Sequence, residues 1–452
     1  QGLPGFAKLL NVLLDMKVQR AGRFPTIGSF LGSCVHGVYP YSGLRLSHGH
    51  KIHDSLLTLA GALMALIGGD LGGAVNAFVK QLVNGDLVPT ITVVMGFGAL
   101  MVYTKCSEHL VAALVQPLRK VPFIIIPGAV IITWFLNIAL PSAGGIAAAV
   151  GVLLIPTLIA LKVKPAMAAS AVYLGTWGSV VSPGLMFNPQ IAEIAKTDVM
   201  TVIATEFWPC ILGLVAATIV LVGISLFRKE GVGSYVPQAD DKVAQTKEDM
   251  KVNYLYALVP VIPLVLLVIS SKQVGWISPM SVPVAMLIGS AIALVVTRPN
   301  FGDASKKFCK GAGDGFGDVV ILIAAAAFFC AGMKSMGMID VLINAMKGSQ
   351  SVAQIAAAAG PFVMAVVTGS GNAAALAFNG AITPHAADFG LGTVELGAVA
   401  QIAAGLGRTM SPVAGAAIIC AGLAGINPME IVKRNALPTV VAVVVVTVAM
   451  FI

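Results

Sequence analysis

Long apolar runs alternate with short polar connections along most of this chain. A helix needs about 20 apolar residues to cross a bilayer, and several runs approach that length while others fall short of it. The runs cover residues 55–69, 89–104, 121–140, 146–161, 166–181, 207–227, 253–271, 277–297, 318–333, 352–368, 394–406, 412–425 and 437–452. This pattern predicts an all-α polytopic membrane protein, and its short runs predict re-entrant helical hairpins and discontinuous helices.

Composition narrows the class. Hydrophobic residues fill 57% of the 452 positions and charged residues only 11%, whereas soluble domains carry about 25% charged residues. The net charge of +8 does not indicate a nucleic-acid partner, because the basic residues lie mostly in connecting loops, where the positive-inside rule places them. Six cysteines are scattered without a Cys-x-x-Cys pair, so neither a metal site nor a disulfide framework is supported. We expect no cofactor beyond a coupled Na⁺ or H⁺.

Small polar residues flanked by glycine or proline interrupt the apolar runs at four places, called breaks 1 to 4. They are residues 137–145 (break 1), 176–184 (break 2), 368–372 (break 3) and 406–412 (break 4). Irregular backbone at membrane depth is tolerated only where it lines a cavity or is buried in protein. Arg408 is costly in such a place and by default marks a functional site. The alternative for the breaks is ordinary glycine and serine helix packing. The alternative for Arg408 is a side chain that extends to the membrane surface.

The breaks take part in an internal repeat. A Lys, a Ser, a Ser-Pro pair and an Asn-Pro pair occur in the same order in both halves: Lys105, Ser142, Ser182-Pro183 and Asn188-Pro189, then Lys334, Ser370, Ser411-Pro412 and Asn427-Pro428. The first two spacings are 37 and 40 residues in one half and 36 and 41 in the other, while the third does not match. Repeats of this size in an apolar chain are typical of inverted-repeat transporters.

Loop charges predict how the two halves are oriented. The polar stretch Arg228–Lys251 is rich in basic residues, so we interpret it as a cytoplasmic linker. Residues 188–206 carry more acidic than basic side chains, and we interpret them as an external loop, whereas residues 427–435 carry Lys433-Arg434 and are interpreted as internal. The asymmetry favours two inverted-topology repeats over a parallel duplication.

The expected domains follow from these boundaries. Residues 1–54 form an atypical segment without an apolar span, residues 55–228 the first repeat half, residues 229–251 the cytoplasmic linker and residues 252–452 the second half. Three histidines between Ser47 and His53 suggest a metal cluster. Only Asp54 could assist them, and we therefore interpret the stretch as a solvated segment.

The chemistry of the breaks predicts a site for a small anion. A hairpin tip can aim a helix N-terminus, with free N–H groups and a positive dipole end, at a carboxylate. Two tips offer two donor sets, which suits a ligand with two carboxylates, and Arg408 can bind one of them through two parallel hydrogen bonds. Unwound carbonyls could instead hold Na⁺. The expected substrate-binding residues are Ser142, Gly144, Ser179, Ser182, Thr368, Ser370, Asn372, Arg408, Thr409 and Ser411. Lys105, Lys334 and His385 are interpreted as helix-end or loop residues.

The motifs of breaks 3 and 4, residues 368–373 and 406–415, resemble those of the DcuC family of anaerobic C4-dicarboxylate carriers. Residues 142–145 are a looser match, and the resemblance covers about residues 85–452. It implies exchange or proton-linked transport of fumarate, malate, aspartate and succinate in a bacterial inner membrane. It also implies a scaffold domain, a moving transport domain with an elevator mechanism, and a homodimer. Two features depart from the family. Ala374 stands where the family tends to have proline, and residues 1–54 do not look like the family's opening spans.

Sequence and resemblance together predict a secondary active transporter of C4-dicarboxylates, working in the lipid bilayer by exchange or cation-coupled symport. A carrier of the same architecture for another organic anion, such as citrate or an amino-acid derivative, is the alternative. A channel would need a continuous polar lining, while the polar residues here cluster at the breaks. An enzyme would need a nucleophile with a base, or a metal set, and the sequence shows neither arrangement.

Overall fold

The computed structural model describes residues 48–118, 121–236, 251–347 and 349–452, and every regular element in those ranges is helical. The all-α fold class is therefore confirmed. Most of the atypical N-terminal segment and residues 237–250 of the linker lie outside the described residues. The domain boundaries stay predictions.

Within the described residues, nine helices precede the linker: α1 (His48–Gly68), α2 (Leu71–Leu82), α3 (Leu87–Tyr103), α4 (Cys106–Leu118), α5 (Ile125–Ala139), α6 (Ala143–Ala160), α7 (Pro165–Leu174), α8 (Phe187–Ala195) and α9 (Val199–Phe227). Eleven follow it within the described residues: α10 (Tyr254–Leu258), α11 (Ile262–Ile269), α12 (Val282–Thr297), α13 (Phe301–Gly315), α14 (Ile321–Ser335), α15 (Met338–Lys347), α16 (Gln350–Thr368), α17 (Gly371–Ala381), α18 (Thr393–Arg408), α19 (Gly415–Ala424) and α20 (Pro428–Phe451). Short 3₁₀ segments cover Pro122–Ile124, Gly175–Val181, Val259–Val261 and Thr383–Phe389, and a π-helical turn covers Phe316–Val320.

Helix length separates full spans from broken ones. Among the described residues, α6, α9, the continuous α13–α14 segment, α16 and α20 are long and apolar enough to cross a membrane. Helices α2 and α3, bent by 48° at their junction, could together make a sixth span. Other apolar helices, such as α5 and α19, are too short to span alone, as the short runs in the sequence predict.

The two halves place equivalent elements in the same order. A hairpin of two helices (α5 and α6, or α16 and α17) is followed by a helix that ends in irregular backbone (α7 or α18), and then by a short and a long helix. The long helices α9 and α20 pack along each other. At their contact, a Cβ atom on Gly213 would lie 2.6 Å from the side chain of Val446, so only glycine allows this close approach.

The interpretation of residues 188–206 as a loop is wrong, while their side of the membrane stays a prediction. Asn188 lies in α8, and α9 begins at Val199, where the Asp198 carboxylate accepts a hydrogen bond from the Thr201 amide at 2.9 Å. The acidic residues thus have separate roles, with Asp198 as a helix cap and Glu206 fully buried in α9. Net charge does not identify a loop here, because capping and buried carboxylates look the same as solvated ones in a sequence.

Residues 427–435 are also helical and not a loop. The Asn427 side chain accepts from the Met429 amide at 2.9 Å and caps α20. Arg434 lies inside α20 with only 3% of its surface exposed. Because Arg434 is buried in an ion pair, it gives no information on which side of the membrane this end of α20 faces.

Candidate functional site

Serines cap the second helix of both hairpins, at breaks 1 and 3. Ser142 Oγ accepts from the Gly145 amide at 3.1 Å, and Ser370 Oγ accepts from the Ala373 amide at 3.2 Å. Gly369 precedes the second cap with a φ of +74°, a left-handed conformation that favours glycine. Both helices are therefore interrupted at the predicted serines, and the N-termini of α6 and α17 begin there with their dipoles' positive ends.

The tip of the second hairpin packs against the end of α18, at break 4. A Cβ atom on Gly371 would lie 3.0 Å from the Ala404 carbonyl oxygen and 3.4 Å from Arg408 Cβ. One on Gly369 would lie 3.0 Å from the Ala414 nitrogen. The two glycines thus allow a close approach that brings the capped N-terminus of α17 beside Arg408.

Side chains that donate to backbone carbonyls connect break 4 to break 2 and to the helices beside it. Arg408 Nη2 donates to the Thr176 carbonyl oxygen at 2.5 Å. The Tyr173 hydroxyl, fully buried on α7, contacts the Arg408 carbonyl and the Ser411 carbonyl, the latter at 3.2 Å. Asn435 Nδ2 donates to the Thr409 carbonyl at 3.2 Å. These side chains satisfy the backbone groups that the end of α18 leaves unpaired, as membrane-depth backbone requires.

Buried amides hold break 2 against break 1 and against α8. Asn137 Oδ1 accepts from the Ser179 amide at 3.0 Å, and Asn137 Nδ2 donates to the Leu140 carbonyl at 3.0 Å. Asn188 Nδ2 donates to the carbonyls of Val180 at 2.7 Å and of Ser182 at 2.9 Å. Two asparagines therefore replace the helical hydrogen bonds that the irregular segments lack.

Contacts join the four breaks into one cluster. Break 1 touches break 2 through Asn137, break 2 touches break 4 through Arg408, and break 4 touches break 3 through Gly371. The first hairpin tip also approaches α19, since a Cβ atom on Gly144 would lie 3.9 Å from the Ile419 side chain. The structure thus brings the elements that carry all ten predicted site residues together. Whether those residues bind substrate stays a prediction.

The predicted residues differ in what they still offer a ligand. The hydroxyls of Thr368 and Thr409 donate to the carbonyls one turn earlier, at 2.7 Å each, so their protons are engaged. Ser411 is fully buried and its hydroxyl has no partner within the described part of the chain. Ser142 is exposed, while Ser370 is buried at 5% exposure, so the first tip lies at the surface of the chain and the second is packed.

Arg408 gives the cluster its positive charge. Its side chain is partly buried, and across the described ranges no carboxylate forms an ion pair with it. The one side-chain hydrogen bond it makes there goes to the Thr176 carbonyl. A guanidinium has five N–H donors, so most of them remain for a ligand. The arrangement can therefore bind an anion by charge-assisted hydrogen bonds beside a helix N-terminus.

Several buried polar residues in or near the breaks were not predicted as site residues. They are Asn137, Tyr173, Asn188, Glu206 and Gln401. Asn137, Tyr173 and Gln401 lie within the apolar runs of the sequence, whereas Asn188 and Glu206 lie between two of those runs. A buried polar side chain in a membrane helix must find a partner, so its position inside an apolar run is the signal that could have revealed the first three.

Comparisons with known proteins agree with this architecture. The family model of the C4-dicarboxylate anaerobic carrier, DcuC, matches residues 74–452. An uncharacterized transporter of Haemophilus influenzae is 40% identical over 273 residues, which are 58% of this chain and 97% of that protein. The anaerobic C4-dicarboxylate transporter DcuC of Escherichia coli K12 is 27% identical over 380 residues, 81% of this chain and 80% of that protein.

A solved structure shares the fold. The YdaH transporter of Alcanivorax borkumensis superposes with a TM-score of 0.61 over 89% of this chain and 97% of its own, at 13% identity. The broken hairpins, the clustered breaks and a family match over most of the chain all agree. The protein belongs to the DcuC family of C4-dicarboxylate anaerobic carriers.

Proposed function

We propose that this protein transports C4-dicarboxylates such as fumarate, malate, succinate and aspartate across a bacterial inner membrane, by exchange or cation-coupled symport. The broader class follows from family membership, which makes the chain a multi-pass membrane transporter and not an enzyme. The dicarboxylate itself is supported by the name of the relative from Escherichia coli and by the two capped hairpin tips.

The observation that carries the proposal is Arg408, a cation without a carboxylate partner beside the capped N-terminus of α17. A guanidinium left uncompensated inside helical packing is costly. One carboxylate of the substrate would compensate that charge through Arg408 and Ser370. The second carboxylate would bind at the first hairpin tip, near Ser142 and Gly144.

Counterflow in liposomes tests this proposal. Liposomes that contain the purified protein are loaded with unlabelled succinate, and the uptake of labelled succinate into them is followed. We expect saturable counterflow in the wild type and in Arg228→Ala, a control that removes an exposed arginine. Arg408→Ala loses at least about 100-fold in uptake, since two charge-assisted hydrogen bonds contribute about 3 kcal/mol. Arg408→Lys keeps the charge but not the two parallel bonds, and recovers only part of the rate.

Competition assigns the substrate class. Fumarate and malate should compete with labelled succinate, whereas citrate and amino-acid derivatives should not. Competition by citrate alone would favour the carrier of another organic anion with the same architecture. Wild-type uptake in Arg408→Ala would remove Arg408 from the site.

We further propose a homodimer in which a moving transport domain carries the site, on the resemblance to the family. Light scattering of the detergent-solubilised protein measures the mass directly. A mass of one chain would contradict the homodimer without affecting the substrate assignment.

A further inference from the structure

The carboxyl group of Glu206 lies outside the set of donors described above. Glu206 is the eighth residue of α9 and is fully buried. Its Oε2 accepts from Gln401 Nε2, which also donates to Asn188 Oδ1 at 2.7 Å. Its Oε1 has no hydrogen-bond partner among the described residues, nor does Gln401 Oε1.

No cation compensates Glu206 within the part of the chain that the structure describes. Gln401 reaches it from α18 and Asn188 from α8, and Cys210 lies one turn along α9. The other elements packed on α9 are α5 and the 3₁₀ segment Gly175–Val181, which contain no charged residue, and α20.

The remaining charged residues on these elements lie elsewhere. On α20 they are Glu430, Lys433 and Arg434, all in its first two turns and joined to each other or to Glu230. On α8, Glu193 is exposed and accepts from Asn84. On α18, Glu395 and Arg408 lie at the two ends, away from Gln401. Glu206 therefore faces amides, a thiol and apolar side chains.

An isolated buried carboxylate is strongly disfavoured, so it is neutralised by a proton or a cation. Since Oε2 accepts from Gln401, the proton belongs on Oε1. Hydronium transfers H⁺ to that oxygen, an O–H bond forms, and water leaves. The neutral acid keeps the Gln401 hydrogen bond and removes the buried charge.

We propose that Glu206 is the proton-binding site through which a proton gradient drives transport in this carrier. The inference rests on the proposed transport of a dicarboxylate. It assigns one proton to each substrate moved, bound at Glu206 and separate from the donors at the breaks.

Two contacts connect Glu206 to the breaks. Asn188, which shares the Gln401 amide with Glu206, donates to the carbonyls of Val180 and Ser182 in break 2. Gln401 lies seven residues before Arg408 on α18, two turns or about 10 Å along the same helix face. A change in the charge of Glu206 therefore acts on both break 2 and the helix that presents Arg408.

Protonation of Glu206 lowers the net negative charge that the loaded site carries. A dicarboxylate carries two negative charges and Arg408 one positive charge. With Glu206 ionised, the loaded site and its surroundings carry a net charge of about −2, and with Glu206 protonated about −1. Moving less charge through a low-dielectric layer costs less, so protonation and loading favour each other.

The test compares Glu206→Gln with the wild type in liposomes. Glu206→Asp keeps a carboxyl group, and Glu108→Gln removes an exposed one. We expect a pH gradient to drive succinate accumulation in the wild type, in Glu108→Gln and, less strongly, in Glu206→Asp. Glu206→Gln should lose about tenfold in gradient-driven accumulation, within the usual range of coupling between sites. Succinate exchange at equal pH should persist in Glu206→Gln, because the amide keeps the Gln401 contact.

A readout that does not depend on transport accompanies this assay. Infrared difference spectra of the purified proteins are recorded across a pH titration. The C=O band of a protonated carboxylic acid should respond in the wild type and in Glu108→Gln, and be missing in Glu206→Gln. If no variant moves succinate, the proposed function fails, while the infrared band still tests the protonation of Glu206.

Three results would overturn the inference. They are gradient-driven accumulation in Glu206→Gln at the wild-type level, the same infrared band in Glu206→Gln and wild type, and accumulation that follows a Na⁺ gradient but not a pH gradient.

Discussion

Two arginines inside the helical packing differ in how many partners their guanidinium groups have. Arg434 on α20 donates to both oxygens of Glu230, from Nε at 2.7 Å and from Nη2 at 2.6 Å, and its Nη1 reaches Glu430 at 2.9 Å. Arg408 on α18 reaches only the Thr176 carbonyl among the described residues. The same side chain is fully paired in one place and mostly unpaired in the other.

The difference separates structure from function. The Arg434 pair joins α20 to the end of α9, and Lys164 adds a further contact to Glu230 at 3.4 Å. A paired buried charge fixes how two elements meet. Arg408 lacks such a partner and lies beside break 2 and the second hairpin tip, so its charge remains available to an anion.

Removing Arg434 should give the largest effect on stability. Arg434→Ala leaves Glu230 buried with only the 3.4 Å contact to Lys164, which costs up to about 3–5 kcal/mol. We expect a large fall in the thermal unfolding midpoint in detergent. The double variant Arg434→Met with Glu230→Leu removes both charges and should regain most of the loss. An unchanged midpoint in Arg434→Ala would show that the pair holds nothing together.

Removing Arg408 should weaken binding and leave stability intact. Arg408→Met removes an uncompensated charge, so the unfolding midpoint of the substrate-free protein should stay or rise. Succinate affinity should fall by about 3 kcal/mol, or about 100-fold, as measured by calorimetric titration. A large loss of stability without succinate would instead make Arg408 a structural residue like Arg434.

The two hairpin serines extend the comparison to smaller effects. Replacing an N-cap serine by alanine costs about 1 kcal/mol, and by glycine only a few tenths. Ser370→Gly should therefore keep most of the stability and lose one donor to the substrate, worth about 1 kcal/mol or about fivefold in affinity. The matched change Ser142→Gly at the exposed tip tests the second carboxylate. Wild-type succinate affinity in both variants would exclude the hairpin tips from the site.

Lowering the pH should weaken the Glu230 pair. Burial by itself would raise the pKa of Glu230, but hydrogen bonds and charge from Arg434 and Lys164 outweigh it and hold that pKa below the usual 4.5. A lowered folded-state pKa contributes stability above the usual value, which is lost as pH falls through the folded-state pKa. The unfolding midpoint should thus drop below pH 4.5 in the wild type and less in the double variant. An identical pH dependence in both would contradict this origin.

The sequence predicted the breaks because local chemistry determines them. Gly369 needs a left-handed backbone, and Ser142 and Ser370 offer the side-chain oxygens that cap a helix. These effects act within a few residues, so a motif reveals them. The exposed helix-end positions of Lys105 and Lys334 follow in the same way.

The partners of the breaks could not be predicted from the sequence. Tyr173 meets Ser411 across 238 positions, and Gln401 meets Glu206 across 195. Only the packing of α7, α9 and α18 brings these residues together. For the same reason the burial of Arg434, which makes its charge uninformative about the membrane side of residues 427–435, became visible only in the fold.

A structure of the protein with bound succinate would show directly whether Arg408 binds the substrate. We expect one carboxylate within about 2.7–2.9 Å of two guanidinium nitrogens of Arg408, the distance of a charge-assisted hydrogen bond, and the other carboxylate at the tip near Ser142. Succinate bound elsewhere, with Arg408 still joined only to the Thr176 carbonyl, would contradict it.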